Sequence, residues 1–184
     1  MSGKTSLLRY LQLAWMSGPR CERRIYRHMV RSQPRNLLEI GLGMGVRSLR
    51  MFQAARRYCE PGEVRYTGID LFEGRPEEAA ALGLKDAYTL LRSQGVSVRL
   101  VPGDPAIALQ ITARTITNSD LVIIDSSVTD DSLSAAWKWL YRLMHGDTAV
   151  FRIRGTGDDL HLEQWLAADV ENKIGKESGS TRAA

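Results

Sequence analysis

The chain has 184 residues, 43% hydrophobic and 25% charged, a size and composition that fit one globular domain with an ordinary buried core and exclude a two-domain enzyme. No apolar run approaches the ~20 residues that cross a bilayer, and Lys4, Arg9 and Gln12 stand where a secretory leader would be apolar, so a cytoplasmic protein without a membrane partner is predicted. The net charge of +4 is uneven: residues 1–57 hold twelve bases against two acids, Glu22 and Glu39, whereas the remainder is net acidic.

Residues 1–33 predict a helical cap of two helices. Leu7, Leu8, Leu11 and Trp15 recur at helical spacing, Ser17-Gly18-Pro19 breaks the run, and Cys21, Ile25 and Met29 continue a thinner stripe. From residue 34, short apolar runs alternate with helical patterns. Strands are predicted over 36–40, 63–69, 96–101, 120–125 and 148–153, and helices over 46–58, 77–93, 105–113, 130–144 and 158–170. Runs such as Leu37-Leu38-Glu39-Ile40 and Leu121-Val122-Ile123-Ile124 are apolar on both faces, as in a parallel sheet covered on both sides. The fold class is α/β with a doubly wound parallel sheet. The main domain is assigned to 34–170, and the small polar residues of 171–184 read as a disordered tail.

In such a sheet, ligands bind beyond the carboxyl ends of the strands. The first strand runs into Glu39-Ile40-Gly41-Leu42-Gly43-Met44-Gly45, where alternate glycines let a ligand approach the main chain. The second strand ends in Asp70, which can accept hydrogen bonds from both hydroxyls of a ribose. Gly103-Asp104-Pro105 follows the third strand and also reads as a helix N-cap. Asp125 ends the fourth strand, where it can orient a nucleophile or form an Asx turn.

The spacing ExGxGxG resembles motif I of the class I S-adenosylmethionine (SAM) methyltransferases. The dinucleotide pattern GxGxxG would need glycine at Val46. Asp120-Leu121-Val122-Ile123-Ile124-Asp125 resembles the same family's motif IV. The resemblance spans residues 36–153. It implies a Rossmann-like methyltransferase fold and SAM as cofactor, released as S-adenosylhomocysteine. It further implies that Gly41, Gly43 and Gly45 admit the methionine part, that Glu39 suits the cationic ligand, that Asp70 takes the ribose, that Gly103 and Asp104 lie by the adenine, and that Asp125 is catalytic.

Departures narrow the reaction. Asp125-Ser126-Ser127-Val128 replaces the Asp/Asn-Pro-Pro-aromatic motif of base amino-methylation, and neither Cys21 nor Cys59 is near this region in sequence, as the thiolate of cytosine C5 chemistry would need to be. The closest group is the small-molecule O-methyltransferases similar to catechol methyltransferases. Their divalent metal is not expected here, because Arg152 and Arg154 end the fifth strand and would oppose it electrostatically. A methyl transfer to an oxygen of a small molecule is the resulting expectation. A non-catalytic SAM-fold protein and a nicotinamide oxidoreductase are the alternatives.

After Ile153 only 31 residues remain, fewer than the ~40 that a sixth strand and an antiparallel seventh need. The expectation is a sheet without its last two strands, its edge bare or covered by a second copy. Arg20, Arg23, Arg24, Arg27 and Arg31 share one helix face. A solvated face is preferred there over a nucleic-acid surface.

Overall fold

The computed structural model describes residues 5–75, 82–116 and 118–180. Its centre is a six-stranded sheet of order β3-β2-β1-β4-β5-β6. The strands are β1 (Asn36–Ile40), β2 (Arg65–Asp70), β3 (Ser97–Pro102), β4 (Ser119–Ile124), β5 (Met144–Arg154) and β6 (His161–Leu166). The first five are parallel and β6 is antiparallel to β5. Successive side chains of a strand leave opposite faces, and the core divides accordingly. Leu37, Tyr66, Leu121, Ile123 and Phe151 pack on one side, and Leu38, Ile40, Ile69, Val122 and Ile124 on the other.

Helices α1 (Leu7–Leu11), α2 (Arg23–Ser32), α3 (Val46–Ala55) and α4 (Leu84–Arg92) precede the third strand. They are followed by α5 (Pro105–Thr112), α6 (Asp130–Ser134), α7 (Trp137–Arg142) and α8 (Ala167–Ser180). Residues from α2, α3 and α4 fill the first layer and residues from α5, α6, α7 and α8 the second. Ile25, Tyr26 and Met29 are fully buried, so α2 is part of the layer that covers the sheet. The helix expected over 77–93 is seen as Leu84–Arg92, and residues 77–81 of that expectation, like residues 1–4 and 181–184, lie outside the described residues. The helix expected over 130–144 is two short helices.

The expected end of the chain is corrected. In place of a helix over 158–170, residues 161–166 form β6, paired with β5 from Ala149↔Leu166 to Arg154↔His161. The edge of β5 is therefore covered by the same chain, and the sheet has the antiparallel strand it was expected to lack. His-Leu-Glu-Gln-Trp-Leu can be a strand because its apolar residues reach both layers. Leu162 packs on the first, and Trp165 meets Trp137 edge-on in the second at 5.5 Å. Residues 171–180, expected to be disordered, continue α8.

Candidate functional site: a cleft at the strand ends

Three backbone hydrogen bonds of 2.8 Å lock the strand ends together: Gly41 N–H to the Ile69 carbonyl, Gly103 N–H to the Asp70 carbonyl, and Asp125 N–H to the Ile40 carbonyl. The loop leaving β1 turns at once. Gly41 has φ +85°, and a Cβ there would lie 2.6 Å from the Asp125 Cβ, so a side chain is excluded by both conformation and space. This close approach seats the glycine loop against the end of β4.

A cleft of about 200 Å³ opens here, and Gly41, Asp70, Gly103 and Asp104 all line it. Ile69, Leu71 and Val128 provide apolar walls, and Arg75 contributes a guanidinium. Four of the residues singled out from the sequence thus converge on one cavity. Asp104 also caps α5, accepting from Ala106 N–H at 2.8 Å, so the cap and a place in the cleft coexist.

Asp70 is buried and heavily used. One carboxylate oxygen accepts from Leu42 N–H (2.5 Å) and Gly43 N–H (3.1 Å), and the other from Phe72 N–H (3.2 Å). The Arg75 guanidinium clamps both oxygens, with Nε at 2.7 Å from Oδ1 and Nη2 on Oδ2. The carboxylate expected to receive a ribose pins the glycine loop and carries an internal cation.

Gly43 (φ +59°) stands with open space where a Cβ would be, and Gly45 (φ +70°) is the N-cap of α3 beneath Leu82 and Leu90. Neither lines the cleft. Glu39 is corrected more sharply. It has no exposed surface and leaves β1 on the same side as Leu37, toward α3. Its oxygens accept from Arg47 Nε (2.7 Å), Ser48 Oγ (2.6 Å) and the Tyr66 hydroxyl (2.6 Å). A carboxylate so enclosed anchors the helix and cannot meet a ligand.

Arg47 is the residue that sequence reasoning missed. From the first turn of α3 it reaches Glu39, the Gly41 carbonyl (2.8 Å), Asp125 Oδ2 (2.7 Å) and Glu22 (3.5 Å). It joins the helical cap, the glycine loop and the end of β4 through one buried guanidinium. Burial opposes its charge, but the three carboxylates hold it protonated. Burial raises the Asp125 carboxyl, yet Arg47 and the Ser127 N–H outweigh that and hold it below its usual value. For Glu22 burial wins over Arg47, and its carboxyl is raised. The only advance sign of Arg47 was its position eight residues after Glu39, with strand alternation turning Glu39 toward the helix.

Arg152 and Arg154 end β5 and both grip Asp130, at 2.6 and 2.8 Å. Arg152 is buried, and its Nε has no hydrogen-bond partner among the described residues.

No protein-family model matches the chain, and no curated protein matches it in sequence. Solved structures do. The S-adenosylhomocysteine-bound methyltransferase PaMTH1 of Podospora anserina superposes with a TM-score of 0.54 at 17% identity, over 92% of this chain and 71% of that one. The O-methyltransferase TomG of Streptomyces achromogenes, involved in tomaymycin synthesis and solved with SAM, gives 0.54 at 18%, over 79% and 63%. A Staphylococcus aureus protein described as a caffeoyl-CoA O-methyltransferase gives 0.51 at 17%, over 70% and 54%. The chain spans about half the length of this last protein. Strand order, the antiparallel edge strand and these superpositions agree: the chain has the fold of the class I SAM-dependent methyltransferases.

Proposed function

We propose that the cleft binds SAM and that the protein transfers its methyl group to an oxygen of a small-molecule acceptor. The observation that carries this is the convergence of Gly41, Asp70, Gly103 and Asp104 on one cavity at the ends of β1, β2 and β3, where an open α/β sheet holds its ligand. The residues suit the cofactor. Ile69, Leu71 and Val128 offer apolar surface to an adenine, and Asp104 offers an acceptor to its amine. Gly41 brings the start of the glycine loop to the cleft wall, and the carboxylates complement a cationic ligand.

SAM would supply an electrophilic methyl group. This chain supplies position and a water-poor wall, which is most of what such a displacement needs. Asp125 does not itself line the cleft, but Ser127 and Val128 just after it do; held ionised by Arg47, it would accept a hydrogen bond from an acceptor hydroxyl lying beside them and then its proton. The same ion pair makes it a weak base, so alignment carries more of the rate than proton removal. Calorimetry with SAM, S-adenosylhomocysteine and NAD tests the reading. SAM and S-adenosylhomocysteine should bind, NAD should not, and Asp70→Ala should abolish binding. Failure of both adenosyl ligands to bind at millimolar concentration sinks it.

A non-catalytic SAM-fold protein is a second reading, favoured by one observation. The Asp70 carboxylate is already filled by three backbone donors and Arg75. Cofactor binding without turnover of any hydroxyl acceptor, in a panel of phenols, acids and alcohols, would decide for it.

A further inference from the structure

The N-terminal segment leaves a row of apolar side chains in solvent. Leu13 and Ala14 are buried, but Leu7, Leu8 and Leu11 of α1 and Trp15 in the π-helical turn (Gln12–Met16) that follows it are exposed. Leu8 is 80% exposed, Trp15 60% and the adjoining Met16 76%. Single exposed leucines are ordinary, but a contiguous row on one short segment marks a surface that meets something.

The neighbouring surface is cationic without relief. Arg20, Arg24 and Arg31 are exposed, and none of Arg20, Arg23, Arg24, Arg27 and Arg31 has an ion pair among the described residues. The two carboxylates of the first 57 residues, Glu22 and Glu39, are both buried, so residues 5–57 present no exposed acid. Arg24, Arg27 and Arg31 line a groove of about 400 Å³ floored by Phe151 and Gln164. Arg27 connects the two surfaces: its guanidinium lies 4.7 Å from the Trp15 ring centre and bonds the Ala14 carbonyl at 3.1 Å.

We propose that this face docks on an anionic lipid bilayer. Leu8, Leu11, Trp15 and Met16 enter the boundary between headgroups and acyl chains, and Arg20, Arg24 and Arg31 lie against lipid phosphates. The charge decides the occupant. A second copy related by a two-fold axis would set arginine against arginine with no exposed acid of residues 5–57 between them. A nucleic acid would satisfy the arginines and leave the leucine row in water. An anionic membrane satisfies both, since such surfaces take a basic flank beside an apolar row with an aromatic at the junction.

The test is sedimentation of the full chain with vesicles of phosphatidylcholine alone and of phosphatidylcholine mixed with phosphatidylglycerol. Binding should require phosphatidylglycerol and weaken with salt. Both Leu8→Gln/Leu11→Gln and Arg20→Gln/Arg24→Gln/Arg31→Gln should lower it about tenfold or more, with circular dichroism showing that each variant is folded. Trp15 should become shielded from iodide quenching on the vesicles, read as the difference from Trp15→Phe. Three results overturn the proposal: folded protein that ignores anionic vesicles, binding that survives both variants, or a lipid-free dimer in light scattering that Leu8→Gln/Leu11→Gln dissociates. Duplex DNA bound at lower protein concentration than the vesicles would overturn it as well.

Discussion

Arg47 Nη1 lies 2.7 Å from Asp125 Oδ2, across 78 residues of chain, and this contact ties the first turn of α3 to the end of β4. The same guanidinium donates to Glu39 and to the Gly41 carbonyl, so the shape of the glycine loop depends on it. The candidate catalytic carboxylate and the loop that borders the cleft are positioned by one side chain.

Removing that side chain leaves three carboxylates close together without their common partner. Arg47→Met is expected to destabilise the fold by about 3–5 kcal/mol, the usual consequence of breaking a buried pair from one side. Adding Glu39→Gln should recover part of the loss, because the two residues are coupled. Urea denaturation of the single and double variants measures both effects. A loss below about 1 kcal/mol for Arg47→Met would contradict the arrangement.

The glycine loop predicts a contrast. Gly41→Ala must place a Cβ 2.6 Å from the Asp125 Cβ at φ +85°, which should cost about 2–4 kcal/mol from overpacking and left-handed strain together. Gly43→Ala meets no atom within 4 Å at φ +59° and should cost only about 1 kcal/mol. Thermal denaturation of the two variants checks the order.

Arg75 predicts an affinity change of the opposite sign to most cleft substitutions. Because its guanidinium occupies both oxygens of Asp70, a ribose bound there as proposed would compete with it, and the binding-competent state would be only a fraction of the population. Arg75→Ala should tighten S-adenosylhomocysteine binding about threefold or more in calorimetry. Unchanged or weaker binding would show that Arg75 does not compete.

Acid sensitivity should trace to the β5 end. Hydrogen bonds from Arg154 and Arg152 lower the Asp130 carboxyl to about 2 from an ordinary 3.8. A depressed carboxyl adds stability above its unfolded value, and that stability is lost as the pH falls through the folded one. Asp130→Asn should therefore flatten the stability profile between about pH 4 and 2, and added salt should shrink the difference because Asp130 is exposed. A carboxyl titration near its ordinary value in NMR would refute the pairing.

Much of the fold was legible from periodicity. Strand β1 falls where Asn36–Ile40 predicts it, and Gly41, Asp70, Gly103 and Asp104 meet in one cleft. These features depend on local rules: apolar runs make central strands, glycines permit the sharp turn, and strands in parallel bring their carboxyl ends together. Strand β6 was hidden because six residues of mixed polarity fit a helix as well as a strand, and only the open edge of β5 selects between them.

By itself, then, the sequence determined the alternation of strands and helices, the glycine turn and the acids that end the strands, all of which follow from neighbours along the chain. Only the tertiary structure decided how the charges are spent. Glu39 is turned into the core, Arg47 is chosen from twenty arginines to bind three elements, and Asp70 is closed by Arg75. The partner of a charge is set by distance in space, and side chains tens of residues apart become neighbours only after the sheet has formed.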